Sequence, residues 1–182
     1  SRWTDPLGQG NVHMALSPDD RWIYIVAPSG YRGGSEQVVF RASMEESGMP
    51  EVFAGVRGEA GADSKHLNQP RGVACDKQGN VYVADLNNDR VQVFSSEGKL
   101  LGSIATDSPQ LVAVSRKTGA VYVVSVAGRR GEIMTVTRFD GPQATTGKVL
   151  AKDSPCCAQC VALDASGETP VLWFTDWWRS IS

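Results

Sequence analysis

The sequence predicts an all-β fold built from repeated four-stranded units. Two observations indicate this: β-rich runs with one internal aromatic recur along the chain, and each follows an apolar run that ends at a polar turn. The aromatics of the four copies are Tyr24, Tyr82, Tyr122 and Trp173. The alanines in register in the upstream runs are Ala15, Ala74, Ala113 and Ala162. An internal repeat of this kind is typical of repeat proteins, in which each unit packs on its neighbours.

The clearest copy, at 66–105, predicts four short strands at 72–75, 80–84, 90–94 and 99–104. Turn clusters of Asn, Asp, Ser and Gly separate them, since these residues accept tight turns at low cost. The first two strands are apolar on both faces, as in a sheet covered on both sides. The third alternates Val with Arg90 and Gln92, so we expect one of its sides to meet water. This change from fully buried inner strands to more solvent-exposed outer strands is typical of a β-propeller blade.

The spacing of the copies brackets the roughly 40 to 50 residues of a propeller blade. We therefore expect a single domain, a partial β-propeller over 1–182, with blades at about 11–60, 66–105 and 109–152 and an incomplete one at 158–182. Propellers close with 4 to 8 blades, and an open arc leaves apolar faces uncovered. We expect the remainder of a longer polypeptide to complete the propeller; an arc that closes on a second chain is the weaker alternative.

The second copy also carries a specific motif pattern. It reads Gln-Pro-Arg-Gly-Val-Ala at 69–74, Gly-Asn-Val-Tyr-Val-Ala-Asp at 79–85 and Arg-Val-Gln-Val-Phe at 90–94, with Asp76, Asn88 and Gly98 at fixed places around them. This pattern resembles the NHL-repeat family of β-propellers over about one blade. The first copy resembles the repeat of other bacterial propellers, and the whole chain resembles NHL-containing proteins of planctomycete-type bacteria. The resemblance implies a six-bladed propeller and a bacterial source.

Composition and charge argue against two classes of partner. The chain has 18 Lys and Arg against 20 Asp and Glu, a formal net charge of −2. Some animal NHL domains bind RNA through a basic face, but such binding needs clustered cations, and the densest pair here is Arg129 and Arg130 in a Gly-flanked loop. Nucleic acid is therefore disfavoured as a partner. No apolar run approaches the ~18 residues of a membrane span.

Residues just before each innermost strand are predicted to line one mouth of the central channel. The blades contribute to this channel mouth His13, Arg71, Gln110 and Gln159. Such a ring suits an anionic or hydroxylated ligand, because Arg forms charge-assisted hydrogen bonds. The alternative, to which the sequence alone gives more weight, is that these side chains cap strand-end carbonyls and hold channel waters.

A Gly-rich stretch at 28–35 lengthens the first blade. It lacks the Gly-Lys-Ser/Thr ending of a phosphate loop and no helical pattern follows it, so it is interpreted as a long hairpin loop. Loops on a rigid scaffold often carry recognition. Tyr31 and Arg32 are therefore predicted contact residues.

Two enzyme types related to this fold leave an alternative open. The related peptidyl-hydroxyglycine lyases place a zinc-binding His after the Pro that opens the inner strand, but here Arg71 and Gln110 stand there, and two histidines cannot form a three-His site. Lactonase-like propellers hold a channel cation such as calcium through oxygen ligands. The acids that follow strands are Asp76, Asp85, Asp164 and Asp176. Asp85 is more simply the ion-pair partner of Arg90, of modest value if exposed.

The cysteines form one cluster and one isolated residue. Cys156, Cys157 and Cys160 lie close in sequence, and Val161 in place of His excludes c-type haem attachment. A disulfide from Cys160 to Cys156 or Cys157 is feasible in an oxidising compartment, and a periplasmic or secreted location is expected. Cys75 is predicted to be a small buried apolar residue.

These observations predict architecture more sharply than activity, because propellers host many unrelated functions. We expect a non-catalytic ligand-binding or protein-interaction module of a larger protein, with a protein or a small polar ligand as partner. No catalytic residue, resident metal or cofactor is assigned. The alternative is part of a metal-assisted propeller enzyme, of lyase or lactonase type, whose site lies partly in blades beyond these residues.

Overall fold

The computed structural model describes residues 12–26, 36–127, 133–154, 161–164 and 170–174. The first sheet contains β1 (His13–Leu16), β2 (Trp22–Val26), β3 (Val38–Ser43) and β4 (Glu51–Gly55). The second contains β5 (Pro70–Cys75), β6 (Val81–Asp85), β7 (Arg90–Phe94) and β8 (Leu100–Ala105). The third contains β9 (Pro109–Val114), β10 (Val121–Ala127), β11 (Ile133–Phe139) and β12 (Lys148–Ser154). A pair follows, β13 (Val161–Asp164) and β14 (Val171–Phe174).

Every sheet is antiparallel, and its strands lie in chain order. The first strand of each sheet is the innermost, because β5 packs between β1 and β9, and β9 also contacts β13. This is the arrangement of propeller blades, so the predicted fold class is confirmed. In the described part of the chain the helical content is one 3₁₀ turn (Leu86–Asn88), and no helix there is long and apolar enough to cross a membrane.

The hydrophobic core lies between the sheets. Valines of β5 and β6 pack against Tyr24, Val26 and Val39 of the first sheet. The opposite face of the second sheet, with Tyr82 and Val91, packs against the valines of β9 and β10. Full burial of one such side chain contributes about 1.5–3 kcal/mol, so the contacts between sheets supply most of the stability.

The turn between β5 and β6 shows why the strands of the clearest copy form where they do. The buried Asp76 carboxylate accepts hydrogen bonds from Gln78 N at 2.9 Å, from Asn80 N at 2.9 Å and from the Tyr82 hydroxyl at 3.1 Å. Gly79 takes a positive φ of 84°, which glycine adopts without strain. The four strands agree with the predicted ones to within one or two residues at their ends.

The prediction that β7 meets water on one side is wrong. Gln92 is 1% exposed, and Arg90 is largely covered. The reason is the loop that precedes β5: the Arg90 guanidinium donates to the carbonyl oxygens of Ala62, Asp63 and His66, and the Gln92 amide lies against that guanidinium. The alternation along β7 therefore reflects a buried polar contact with a distant loop.

Candidate functional site

The starts of three inner strands meet at one end of the channel. His13 is the first residue of β1, and Arg71 and Gln110 are the second residues of β5 and β9. At the opposite ends of these strands, Arg116 Nη2, beyond the end of β9, donates to the carbonyl oxygen of Leu16 in β1 at 2.8 Å. The inner strands therefore run in the same direction. Three of the four residues predicted for the channel mouth are brought together.

A close backbone approach fixes the distance between β5 and β9. A Cβ built on Gly72 would lie 2.9 Å from the Leu111 Cα and 3.0 Å from the Gln110 carbonyl oxygen. Real Cβ atoms are not found that close to backbone, so the two strands reach this spacing because residue 72 has no side chain. Arg71 is thereby held beside Gln110.

His13 and Arg71 influence each other electrostatically. Burial, followed by the nearby Arg71 guanidinium, lowers the pKa of His13 below its usual 6.5. The imidazole is therefore neutral at neutral pH and can accept a hydrogen bond on one nitrogen while it donates from the other. Arg71 is partly buried, and among the described residues its guanidinium makes no hydrogen bond or ion pair with a carboxylate. Within the described part of the chain, the channel mouth thus holds a cation without a carboxylate partner.

The remaining predicted contact residues lie outside the described residues. They are Gln159, Tyr31 and Arg32; the candidate disulfide residues Cys156, Cys157 and Cys160 lie outside the described residues as well. The fourth cysteine, Cys75, is buried as predicted, and burial raises the pKa of its thiol to about 12. It is therefore protonated and unreactive at neutral pH.

The acids that follow strands have partners where the structure describes them. The two oxygens of Asp76 are occupied by the turn after β5, where Asn80 Nδ2 adds a fourth bond at 2.8 Å. Asp85 is fully buried and accepts from Arg90 Nε at 2.8 Å. Asp164 is described and Asp176 is not. The described residues contain no group of three or more His, Cys, Asp or Glu able to hold a metal. The three described residues of the mouth, His13, Arg71 and Gln110, include no carboxylate.

The Asp85–Arg90 pair is more than the surface ion pair that the sequence suggested. Besides Arg90, the carboxylate accepts from Asn68 N at 2.6 Å and from Asn88 Nδ2 at 2.7 Å. The pair therefore ties the turn after β6 to the loop that leads into β5. Because that loop ends at the strand that carries Arg71, the pair supports the channel mouth.

Sequence reasoning missed a second polar site, a cleft of about 490 Å³ between the first two sheets. The Arg41 guanidinium lies 4.4 Å from the centre of the Trp22 ring, donates from Nε to Glu51 at 2.9 Å and donates from Nη1 to the Ser96 carbonyl oxygen at 3.1 Å. The Ser96 bond joins the first two sheets, and the cation–π contact holds the guanidinium against Trp22 of the neighbouring strand β2. No sequence signal could have found it, because Arg41 is an ordinary alternating residue of β3.

A comparison with known protein families matches part of the second sheet. A family model described as the NHL repeat matches residues 67–94. The chain carries an NHL repeat. The matched residues include Arg71 of the channel mouth and both members of the Asp85–Arg90 pair, so the NHL repeat contributes a site residue and its structural support.

Two curated proteins are similar over parts of the chain. A B-box type zinc finger protein, ncl-1, of Caenorhabditis elegans is 41% identical over 108 residues, which is 52% of this chain and 13% of that protein. The protein brain tumor of Drosophila melanogaster is 36% identical over 74 residues, which is 36% of this chain and 7% of that protein. The chain therefore matches a small part of each, consistent with an NHL segment shared by otherwise different proteins.

Among solved structures, the hydrazine synthase of Kuenenia stuttgartiensis is similar over nearly the whole chain. The superposition covers 98% of this chain and 47% of that one, with a TM-score of 0.61 and 17% sequence identity. At this identity the similarity concerns the fold alone. It supports the propeller arrangement of the sheets around the NHL repeat.

Proposed function

We propose that the chain is a non-catalytic binding module that takes an anionic group, carried by a protein partner or by a small polar ligand, at the channel mouth. The observation that supports this proposal is the Arg71 guanidinium, which is partly buried beside a neutral His13 and has no carboxylate partner among the described residues. An unpaired cation in this position gains more interaction free energy from an incoming anion than a cation that is already paired with a carboxylate.

The three side chains offer complementary donors to one anion. Arg71 presents a planar fork suited to carboxylate or phosphate, the Gln110 amide can donate beside it, and His13 donates from one ring nitrogen. Hydrogen bonds to a charged group contribute about 1.5–3 kcal/mol each. Two such bonds supply binding free energy for recognition. No reaction of the ligand is required.

The proposal is tested by calorimetric titration of the full-length source protein with inorganic phosphate, citrate and N-acetyl-aspartate amide, the last as a stand-in for an acidic peptide side chain. At least one of these anions is expected to bind, and Arg71→Gln is expected to weaken it about tenfold or more, which corresponds to one lost charge-assisted bond of about 1.4 kcal/mol. The matched control is Arg21→Gln, an exposed arginine paired with Glu45 at 3.5 Å. Equal affinity of wild type and Arg71→Gln for every anion would contradict the proposal.

The enzyme alternative makes a different prediction. A metal-assisted lyase or lactonase needs a bound cation and loses activity on chelation, whereas anion binding at Arg71 does not depend on a metal. Titration before and after treatment with a chelator separates the two: binding that disappears with the metal would favour the alternative.

A further inference from the structure

A second surface, distinct from the channel mouth, lies on the outer side of the first two sheets. A groove of about 550 Å³ runs between β4 and the start of β8. Its apolar floor contains Phe53, Phe94 and Leu100, and the two phenylalanine rings pack edge to face with centroids 6.1 Å apart. We call this surface the outer groove.

The charged residues of the outer groove are all of one sign. Lys65 and Lys99 line it, and no carboxylate does. Neither ammonium group makes a hydrogen bond or an ion pair with any described residue. The nearby Glu97 lines the cleft on the other side of its turn, where its carboxylate accepts from the Ser96 hydroxyl at 2.7 Å. The outer groove therefore combines an apolar floor with two uncompensated cations.

The backbone beside the outer groove has unused hydrogen-bonding capacity. Within the described residues, β4 pairs with β3 and with no other strand, and Ala54 and Gly55 at its end line the groove; the adjoining Val56 carbonyl oxygen already accepts from Glu59 N at 3.1 Å. An edge strand presents a row of backbone donors and acceptors on its free side. An extended peptide can add to such an edge through main-chain bonds, with alternate side chains in pockets.

We propose that the outer groove binds an extended segment of a partner protein in which acidic and apolar residues alternate. Alternate side chains of a strand point to opposite faces, so the apolar ones reach the Phe53–Phe94–Leu100 floor while the acidic ones remain at the rim beside Lys65 and Lys99. Apolar burial supplies affinity and the lysines select the sign of the partner's charge. This surface is separate from the channel mouth and extends the proposed binding function to a second contact.

The test uses the full-length source protein and a short fluorescein-labelled peptide that alternates glutamate with valine, followed by fluorescence anisotropy. Binding to wild type is expected, and the double variant Lys65→Glu/Lys99→Glu is expected to bind at least about tenfold more weakly. The matched control is Lys77→Glu/Lys152→Glu, which makes the same change in net charge at exposed lysines outside the groove. A peptide with lysine in place of glutamate is expected to prefer the Lys65→Glu/Lys99→Glu variant.

Three results would overturn this proposal. They are failure of the glutamate–valine peptide to bind wild type, equal weakening by the control variant, and binding of a single-stranded oligonucleotide in place of the peptide. Arg21→Gln, which changes an arginine outside both sites, is expected to leave peptide affinity unchanged. Failure at the outer groove is distinguishable from failure at the channel mouth, because the lysine variant alters the first site and Arg71→Gln alters the second.

Discussion

At the scale of single residues, the Asp85–Arg90 pair is the interaction that holds both the turn after β6 and the loop before β5. The carboxylate has no access to solvent and has three donors, at 2.6, 2.7 and 2.8 Å. The guanidinium in turn holds three carbonyls of the loop before β5. Removal of one member leaves a buried charge without its partner, which costs far more than the loss of a surface pair.

We therefore predict that Arg90→Ala lowers the free energy of unfolding by about 3–5 kcal/mol, because it strands the Asp85 carboxylate and releases the loop. Urea denaturation followed by tryptophan fluorescence measures the change. Arg21→Ala is the control: its pair with Glu45 is exposed on both sides, so its cost is expected to be under about 1 kcal/mol. Equal effects of the two substitutions would mean that burial of the Asp85–Arg90 pair is unimportant.

At the scale of strands, the contact of β5 with β9 places the channel mouth. Gly72 permits it, since any side chain there would meet backbone atoms that cannot move aside without shifting a strand. Gly141, by contrast, has no heavy atom within 4 Å of the position of an added Cβ. The two glycines form a matched pair for substitution.

Gly72→Ala is predicted to destabilise the fold by about 1–3 kcal/mol, the usual cost of forcing extra volume into a packed region. Gly141→Ala is predicted to lie within about 0.5 kcal/mol of wild type, as for other surface substitutions. Thermal and urea denaturation of both variants check this. A neutral Gly72→Ala would show that β5 and β9 do not need their close spacing.

The strands themselves could be predicted from sequence because their signals are local. Runs such as Val81-Tyr82-Val83, between turns rich in Asn and Gly, favour a buried strand over other structures. The prediction of a channel mouth rests on a similar regularity, since each repeat places the start of its inner strand in the same position, and it stays a prediction. Burial of Arg90 and Gln92 could not be predicted, because it depends on carbonyls of the loop at 62–66. The outer groove and the Arg41 cleft likewise could not be predicted, because they form between sheets and leave no local pattern in the sequence.

At the scale of the whole molecule, the outward faces of the first and last described sheets are apolar and uncovered. On β1, Ala15 packs inward while Met14 and Leu16 are 60% and 41% exposed. On β14, Leu172 packs inward while Val171 and Trp173 are 44% and 64% exposed. Contiguous apolar surface of this kind marks an interface. The other described sheets bury such faces against a neighbouring sheet.

A polypeptide restricted to residues 1–182 is accordingly predicted to self-associate, since association is its available route to cover these faces. Size-exclusion chromatography with light scattering over a range of concentrations measures this. Met14→Lys with Leu16→Lys is expected to shift the distribution toward monomer. A wild-type polypeptide that stays monomeric at every concentration, with no binding of an apolar dye, would contradict the prediction.

The central claim concerns the channel mouth, and the titration of His13 tests it most directly. Burial and Arg71 lower the pKa of His13, and a bound anion would stabilise the imidazolium and raise it again, so anion affinity should increase as pH falls through the pKa of the free protein. In the full-length source protein, the signals that a His13→Gln variant loses belong to His13, and a His66→Gln variant identifies those of the second histidine among residues 1–182. NMR of the imidazole protons against pH, without and with citrate, should give a pKa below 6.5 that rises when citrate binds. A pKa of 6.5 or above that citrate leaves unchanged would contradict the account.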